Sequence, residues 1–510
     1  MTGSFHRRPL TLALAACALL ASQAQAGDPL FRWVQLVANA KQDGTPDVMI
    51  KAIMDAEDSC PSVYVNNKSV VTLAPTPRSK PAGFDKIQLC EARIVNGDPL
   101  VSQFATAALD DQGKHTLPLP DLRQGVPVNQ LIAFGCTGCR QKKDEQTKCN
   151  DNDWPFADVL KDAVDKAGSA SMPAVVAHLG DLRYAGQKKE ADSWTYTMNN
   201  TLGWQEEFFK PAQDLLKSNW WIVMRGNHEA CLTDPFKQTS NESWQDRGSA
   251  WLYFFDDQNN SCQNNLDNLG DVLPSYALNA TVYTSDKQPT QTNSRLVVMD
   301  MVRTGDERDR DKVVSKNLYA SQFDTIAGTY AKGDRPLWLL THIPMVSLKG
   351  DIFEDTVVMD AVMASQMNAK LDQSPLTVAA HVHEFQLINA MAGNPTAKRP
   401  LQYIAGNGGV SLSGKKKNQD ACMQPTVTWT PIGGTAEVSE NWYGRHRGGF
   451  GYFRASFNQD GSAKLEPRFY DISGKDWSEH KGVNCQLQSK DGEAYSPELP
   501  KSDATPACKP

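Results

Sequence analysis

Four short apolar runs, each followed at once by side chains able to hold a proton or a cation, constrain this chain more than any other feature. The first lies in Pro173 to Gly186, PAVVAHLGDLRYAG. Ala174, Val175, Val176, Ala177 and Leu179 suit a strand buried on both faces. Gly180 ends that run, Asp181 stands where strand gives way to loop, and Tyr184 comes three residues later. Met224-Arg225-Gly226 leads into Asn227-His228-Glu229, Leu339-Leu340-Thr341 into His342, and Ala379-Ala380 into His381-Val382-His383. Leu131 to Phe134 and Arg295 to Met299 are further runs of the same kind. Helical spacing is read at Phe156 to Lys166, Asp192 to Leu216, Val314 to Ala331 and Thr356 to Leu371. Alternation of strand and helix predicts an α/β core. Ligands of such sheets collect at the carboxyl ends of the strands.

At 510 residues the chain is longer than one core usually serves, so two or more lobes are expected. Residues 1–26 read as a leader, 27–127 as a smaller β-rich lobe, 128–475 as the catalytic domain and 476–510 as a tail. The first lobe is so described because of short strands such as Arg32 to Val37 and Asp47 to Ile53, without helix-length periodicity. Gly451 to Phe457 and Lys464 to Tyr470 alternate like a hairpin, and the chain from Ser489 is expected to be loosely ordered. The formal net charge is -7, and no basic stripe marks a nucleic-acid footprint. Lys415, Lys416 and Lys417 form the one basic run, which a solvated loop explains. After the leader no stretch reaches the roughly 18 apolar residues needed to span a membrane.

His6, Arg7 and Arg8 precede an apolar run from Leu10 to Ala21, and Ala24-Gln25-Ala26 offers small residues for cleavage. That is the pattern of a secretory signal peptide, with a mature start near Gly27 and a periplasmic or secreted destination. Leu14-Ala15-Ala16-Cys17 also fits a lipoprotein acylation box, but the apolar run continues past Cys17 and favours plain cleavage. Loss of Cys17 leaves ten of the 11 cysteines, most of which should pair in an oxidising compartment. The near pairs are Cys60/Cys90, Cys139/Cys149, Cys231/Cys262 and Cys485/Cys508, with Cys136 and Cys422 left over.

A lone histidine is more often a packing or loop residue than a ligand. Likewise, Asp181 and Tyr184 alone read equally well as a loop cap and a packed aromatic. Four of the 9 histidines directly behind apolar runs are hard to attribute to packing. Imidazole, carboxylate and amide oxygen suit Zn, Fe or Mn better than Ca. Six or seven such groups exceed the needs of one tetrahedral ion, so two ions sharing Asp181 are expected. Ions roughly 3.5–4 Å apart are the usual arrangement for hydrolysing phosphate esters.

Gly180-Asp181-Leu182-Arg183-Tyr184, Gly226-Asn227-His228-Glu229, His342 and His381-Val382-His383 resemble the ordered motifs of calcineurin-like metallophosphoesterases. The tyrosine three residues after Asp181 makes the chain similar to the purple acid phosphatase branch, and the match runs from about Val128 to Gly409. The resemblance implies a metallophosphoesterase-type β-sandwich flanked by helices. It also implies two divalent or trivalent ions, iron with zinc, manganese or a second iron, and a small phosphorylated substrate. Carried over by position, Asp181 would bridge the ions. Tyr184 and His383 would bind the first, and Asn227, His342 and His381 the second. His228 would be catalytic, beside the leaving group, and Glu229 would orient a ligand histidine or His228. The activity implied is hydrolysis of phosphate monoesters by metal-activated hydroxide, with a phosphodiesterase on the same scaffold as the nearest alternative.

One position departs from the family. Where its first motif carries Asp, this chain has Phe134-Gly135-Cys136-Thr137-Gly138. Either a Cys136 thiolate replaces the carboxylate as a metal ligand and softens the first site, or Cys136 pairs with Cys139 or another cysteine. The second case favours a degenerate, non-catalytic ligand-binding protein. A Cys-x-x-Cys redox motif finds no thioredoxin-like context here. A serine hydrolase finds no Gly-x-Ser-x-Gly elbow after a strand. Substrate selection is assigned to the loops Ala230 to Gly270 and Gly406 to Trp442. Asn407, Gly408 and Gly409 read either as close approach to the ions or as a plain turn.

Overall fold

The computed structural model describes residues 27–81, 83–139, 154–167, 172–184, 186–190, 193–197, 201–231, 244–262, 272–303, 312–331, 335–349, 352–390, 399–410, 412, 420–423, 426–429, 438–459, 463–471, 476–479, 485–490 and 493–498. The expected leader and Cys17 lie outside them, as do Cys149, Cys508 and Lys415 to Lys417.

Two large sheets face each other. In the first, Gln130–Phe134, Val175–His178, Trp220–Val223 and Phe31–Ala38 run parallel as neighbours. In the second, Pro289–Val298, Leu337–Leu340, Leu376–Ala379 and Leu401–Ala405 do the same. Period-two alternation decides what each face does. Leu131, Ala133, Val175, Ala177, Trp220 and Ile222 point inward and meet Leu296, Trp338, Leu340, Val378 and Tyr403 of the second sheet. Ile132, Phe134, Val176, Trp221 and Val223 point outward under the helices Phe156–Lys166, Lys210–Ser218 and Trp244–Phe255. Val297, Leu337, Leu339 and Ile404 do so on the far side, under Lys312–Thr325 and Val357–Ala364. The result is the expected α/β sandwich flanked by helices.

The stretch 27–127 is β-rich as read, with one 3-10 turn at Pro99–Val101. Its leading strands do not form a sheet of their own. Phe31–Ala38 pairs in parallel with Trp220–Val223, and Pro46–Asp55 and Ile87–Ile94 extend that sheet outward. Cys60–Cys90 and Cys231–Cys262 are disulfides, as the near pairing anticipated, and Cys139 is also disulfide-bonded.

Three local readings need correction. The helix expected from Asp192 starts only at Thr201, because Gly186–Glu190 and Ser193–Thr197 pair as a hairpin. Trp194, Thr195, Tyr196 and Thr197 are strand formers, and their local preference prevails. Ala230 to Gly270, read as loop, contains the helix Trp244–Phe255, whose aromatic residues obscure any 3.6-residue stripe. Ser489 lies in a strand, Cys485–Lys490, that pairs with Glu493–Glu498, so the tail is ordered to that point.

Trp338 and Phe457, one from each sheet, stack at 4.1 Å between ring centroids and 15° between planes. Trp338→Ala should cost about 3–5 kcal/mol through the cavity it leaves. Urea unfolding should show the loss as a lower midpoint at unchanged slope.

Candidate metal centre

The parallel strands of each sheet release their chains at the same edge, and these exits face one another. Backbone bonds bind the exits both across the sandwich and within one sheet. Gly135 N–H donates to Ala405 O at 2.9 Å, and Cys136 N–H to Gly180 O at 2.9 Å. Three of the exits turn sharply, with Cys136 at φ +55°, Asp181 at +57° and His381 at +67°. Left-handed backbone at a non-glycine residue costs on the order of 1–3 kcal/mol, and it persists only where the surroundings over-determine it. Here they do. The turn at His381 is closed by Val382 N–H on Ala380 O at 2.7 Å, and that at Asp181 by its own N–H on Glu229 Oε2 at 2.9 Å. Gly226 must lack a side chain, because a Cβ would stand 2.2 Å from Asp181 Oδ1 and 2.7 Å from His342 Cε1.

All seven side chains expected to hold metal come together there. Asp181 is buried, and its two oxygens face different ways. Oδ2 accepts from the Tyr184 hydroxyl at 2.8 Å and lies 3.9 Å from Cys136 Sγ. Oδ1 accepts the His228 N–H at 2.9 Å and lies 3.5 Å from His342 Nε2. Tyr184 Oη also meets His383 Nε2 at 2.8 Å. Asn227 Oδ1 is 3.0 Å from both His342 Nε2 and His381 Nδ1. Donor atoms of Cys136, Asp181 and His383 lie within 4.8 Å of one another, as do those of Asp181, His342 and His381. Asp181 belongs to both sets.

The donor chemistry fits cations. His342 Nδ1 lies 2.7 Å from the Leu179 carbonyl, which can only accept, so the proton of a neutral imidazole resides on Nδ1. In that neutral form the Nε2 lone pair faces the oxygens of Asn227 and Asp181, whereas a protonated ring would donate Nε2–H to them. Lone pairs turned toward one another repel unless positive charge stands among them.

The surroundings are dry, and their polar groups are supplied by the backbone. Burial alone would raise the Asp181 carboxyl, but His342, His228, His381 and the His228 N–H together hold it well below the ordinary range. Burial, then the neighbouring Asp181, pushes the Cys136 thiol and the Tyr184 phenol well above theirs. Burial and Asp181 likewise push Glu229 up to about 8.

Glu229 departs from its expected role. Among the described residues its hydrogen bonds go to backbone: Oε2 accepts the N–H groups of Asp181 and Gly226 at 2.9 and 2.8 Å, and Oε1 that of Arg183 at 3.3 Å. In the Asn407-Gly408-Gly409 turn, Gly408 N–H donates to Gly135 O at 3.1 Å and the following Val410 N–H to Cys136 O at 2.9 Å, while Asn407 Nδ2 donates to Gly449 O at 2.7 Å.

Two supporting groups escaped the sequence reading. His178, inside an apolar run, accepts from Gly180 N–H at 3.2 Å through Nδ1, so Nε2–H donates to Thr137 Oγ1 at 2.8 Å. Burial pushes it down to about 3, which keeps it neutral. The signal was a histidine in an otherwise apolar strand. Arg183 Nε donates to Glu207 Oε1 at 3.1 Å in a buried pair that anchors the loop between Asp181 and Tyr184. Nothing in the local sequence distinguishes that pair.

Residues 131–385 match the family model of calcineurin-like phosphoesterases. Among solved structures, the purple acid phosphatase PPD1 from yellow lupin (Lupinus luteus) seeds is similar at 15% identity and a TM-score of 0.49, over 88% of this chain and 73% of that one. GAP50, the anchor in the inner membrane complex of Plasmodium, is similar at 11% identity and a TM-score of 0.38, over 71% and 90%. No curated protein matches the chain.

Among the described residues Cys136 is the free cysteine, and it is fully buried. Alkylation under non-reducing conditions should therefore spare Cys136 in native, chelator-treated protein and label it after denaturation, read by peptide mass mapping. Recovery of Cys136 in a disulfide-linked peptide would contradict its position here.

Proposed function

This chain belongs to the calcineurin-like phosphoesterase family and is a hydrolase of the metallophosphoesterase type, and from that premise we propose that it is a binuclear phosphate-monoester hydrolase of the periplasm or the cell exterior. The observation that carries the reading is the pair of donor sets joined at one buried carboxylate. Cys136 Sγ, Asp181, Tyr184 Oη and His383 Nε2 would hold the first cation. Asp181, Asn227 Oδ1, His342 Nε2 and His381 Nδ1 would hold the second. Iron with zinc, manganese or a second iron suits such mixed oxygen, nitrogen and sulfur donors. Bound there, the cations supply positive charge for the phosphoryl oxygens and acidify the attacking water.

The remaining work falls to the chain itself. Asp181 turns one oxygen toward each set, as a bridging ligand must. The Leu179 carbonyl keeps the His342 proton on Nδ1 and Nε2 free of it. Glu229 and His178 fix the backbone that presents Asp181, Asn227 and Cys136. His228 is half-buried, with its ring 4.1 Å from that of Tyr184 and its N–H on Asp181. We assign its imidazole N–H to the departing oxygen, which leaves with that proton. The monoester reading rests on the resemblance of the Asp181-x-x-Tyr184 spacing to the purple acid phosphatase branch, since the metal motifs themselves do not separate monoester from diester. The Cys60–Cys90 and Cys231–Cys262 disulfides support a compartment outside the reducing cytoplasm.

An aryl phosphate should be hydrolysed, and a bis-aryl phosphate more slowly. Chelation should abolish turnover, and zinc, manganese or iron should restore it. Turnover indifferent to metal overturns the reading. His228→Ala should keep both metal equivalents while kcat falls about 10²–10⁴-fold, the usual contribution of a positioned acid. His342→Ala should lose one equivalent by metal analysis. Iron-loaded protein should be coloured through the Tyr184 phenolate, and Tyr184→Phe should bleach it. An unchanged spectrum in that variant removes Tyr184 from the ligands.

A further inference from the structure

The two sheets must keep a fixed spacing at their facing exits, because the second donor set draws on both. Asp181 and Asn227 follow strands of the first sheet, His342 and His381 strands of the second. Asn227 Oδ1 sits 3.0 Å from a nitrogen of each of these imidazoles. At the Cys136 exit backbone bonds cross between the sheets: Gly135 N–H donates to Ala405 O at 2.9 Å, and Val410 N–H to Cys136 O at 2.9 Å. At the Asn227 exit a pair of charged side chains crosses. Arg225 Nε donates to Asp300 Oδ1 at 3.1 Å and Nη2 to Asp300 Oδ2, a two-pronged fit of guanidinium to carboxylate.

Both ends of this pair are rooted beside ligands. Arg225 stands two residues before Asn227, with only the extended Gly226 between them. Asp300 stands two residues past the strand Pro289–Val298. The Met299 N–H beside it donates to Leu340 O at 3.1 Å, and Leu340 stands two residues before His342. The path from Asn227 to His342 thus runs through Arg225, Asp300 and Leu340, one side-chain crossing between two short lengths of backbone.

The pair is held from several sides. Arg225 is 1% exposed and Asp300 9%. Asp300 Oδ2 also accepts Leu273 N–H at 2.6 Å, and the Asp300 carbonyl accepts from Gln322 Nε2 at 3.0 Å. The guanidinium carbon lies 5.9 Å from the centre of the Trp251 ring, whose Nε1 donates to Met224 O at 3.2 Å. Nη1 faces Cys231 Sγ at 3.8 Å. A buried charge pair is often no more stable than apolar side chains of the same size, whereas its fork fixes both a distance and an angle.

Resting on the two-cation reading, we propose that Arg225 and Asp300 are positioning residues for the second cation. Their fork holds Asn227 at the distance from His342 and His381 that lets the three side chains share one ion. They act through Asn227 and belong to neither donor set.

Zinc titration of the chelator-stripped full chain against a chromophoric chelator tests this, and the equivalent lost in His342→Ala marks the second position. The double variant Arg225→Met with Asp300→Asn removes both charges together, so no unpaired charge stays buried, and the amide oxygen can still accept Leu273 N–H. It should unfold near the wild-type temperature and keep its affinity for the first zinc. Its affinity for the second should fall about 10–100-fold, the usual loss when the support of a ligand is removed. Arg225→Lys keeps the charge without the fork and should show the same selective loss, which keeps the test valid if the double variant does not fold. Unchanged second-position affinity in either folded variant means that the pair only fills space, and overturns the proposal. Equal loss at both positions means a general loosening of the fold, and overturns it too. A wild-type chain that binds one zinc refutes the two-cation reading, and the proposal falls with it.

Discussion

The centre depends on one buried carboxylate that never reaches it. Glu229 gathers the N–H groups of Asp181, Gly226 and Arg183, and so ties the exit of one strand to the exit of its neighbour. Three backbone donors on one buried carboxyl group make a directional anchor. Without it the left-handed turn at Asp181 has no closing bond, and Asp181 cannot present an oxygen to each donor set. The Gly226 constraint is the steric counterpart of that anchor, since any side chain there would occupy the space that Asp181 and His342 share.

Much of this was legible in the sequence because strand ends and side-chain chemistry are both local. Ala174 to Leu179 had to be a buried strand, so Gly180 and Asp181 had to lie at the sheet's edge. The same argument placed Asn227, His342 and His381. Two groups of donor atoms that share Asp181 lie within reach of one another, Cys136 with His383 and His342 with His381. Everything decided by non-local contact escaped. Glu229 lies between two loops, and only the fold reveals which backbone groups it meets. His178 is neutral because of burial, which no motif records. The hairpin before Thr201 and the helix Trp244–Phe255 were missed because aromatic and β-branched residues obscure the periodicities on which such readings rest.

Cys136 is where the chain leaves its family and where the structure narrows the options most. Cys139, its one near neighbour in sequence, is bonded elsewhere, while Cys136 is free and faces Asp181. A sulfur in place of a carboxylate removes one hard oxygen from the first donor set and adds a polarisable one. Its left-handed backbone and its bonds to Gly180 and Val410 hold the Cys136 loop against the exit that carries Asp181.

The pairing of Phe31–Ala38 with Trp220–Val223 also sets a timetable. The strand that is synthesised first cannot find its parallel partner until nearly two hundred further residues have been made. Closure of so long a loop is slow, and an unpaired strand edge meanwhile invites association with other chains. The strand carrying Asn227 at its end thus gains its second neighbour from a segment far earlier in the chain. A polypeptide delivered in fragments, or truncated at its start, would carry the ligands and still lack the sheet that aligns them.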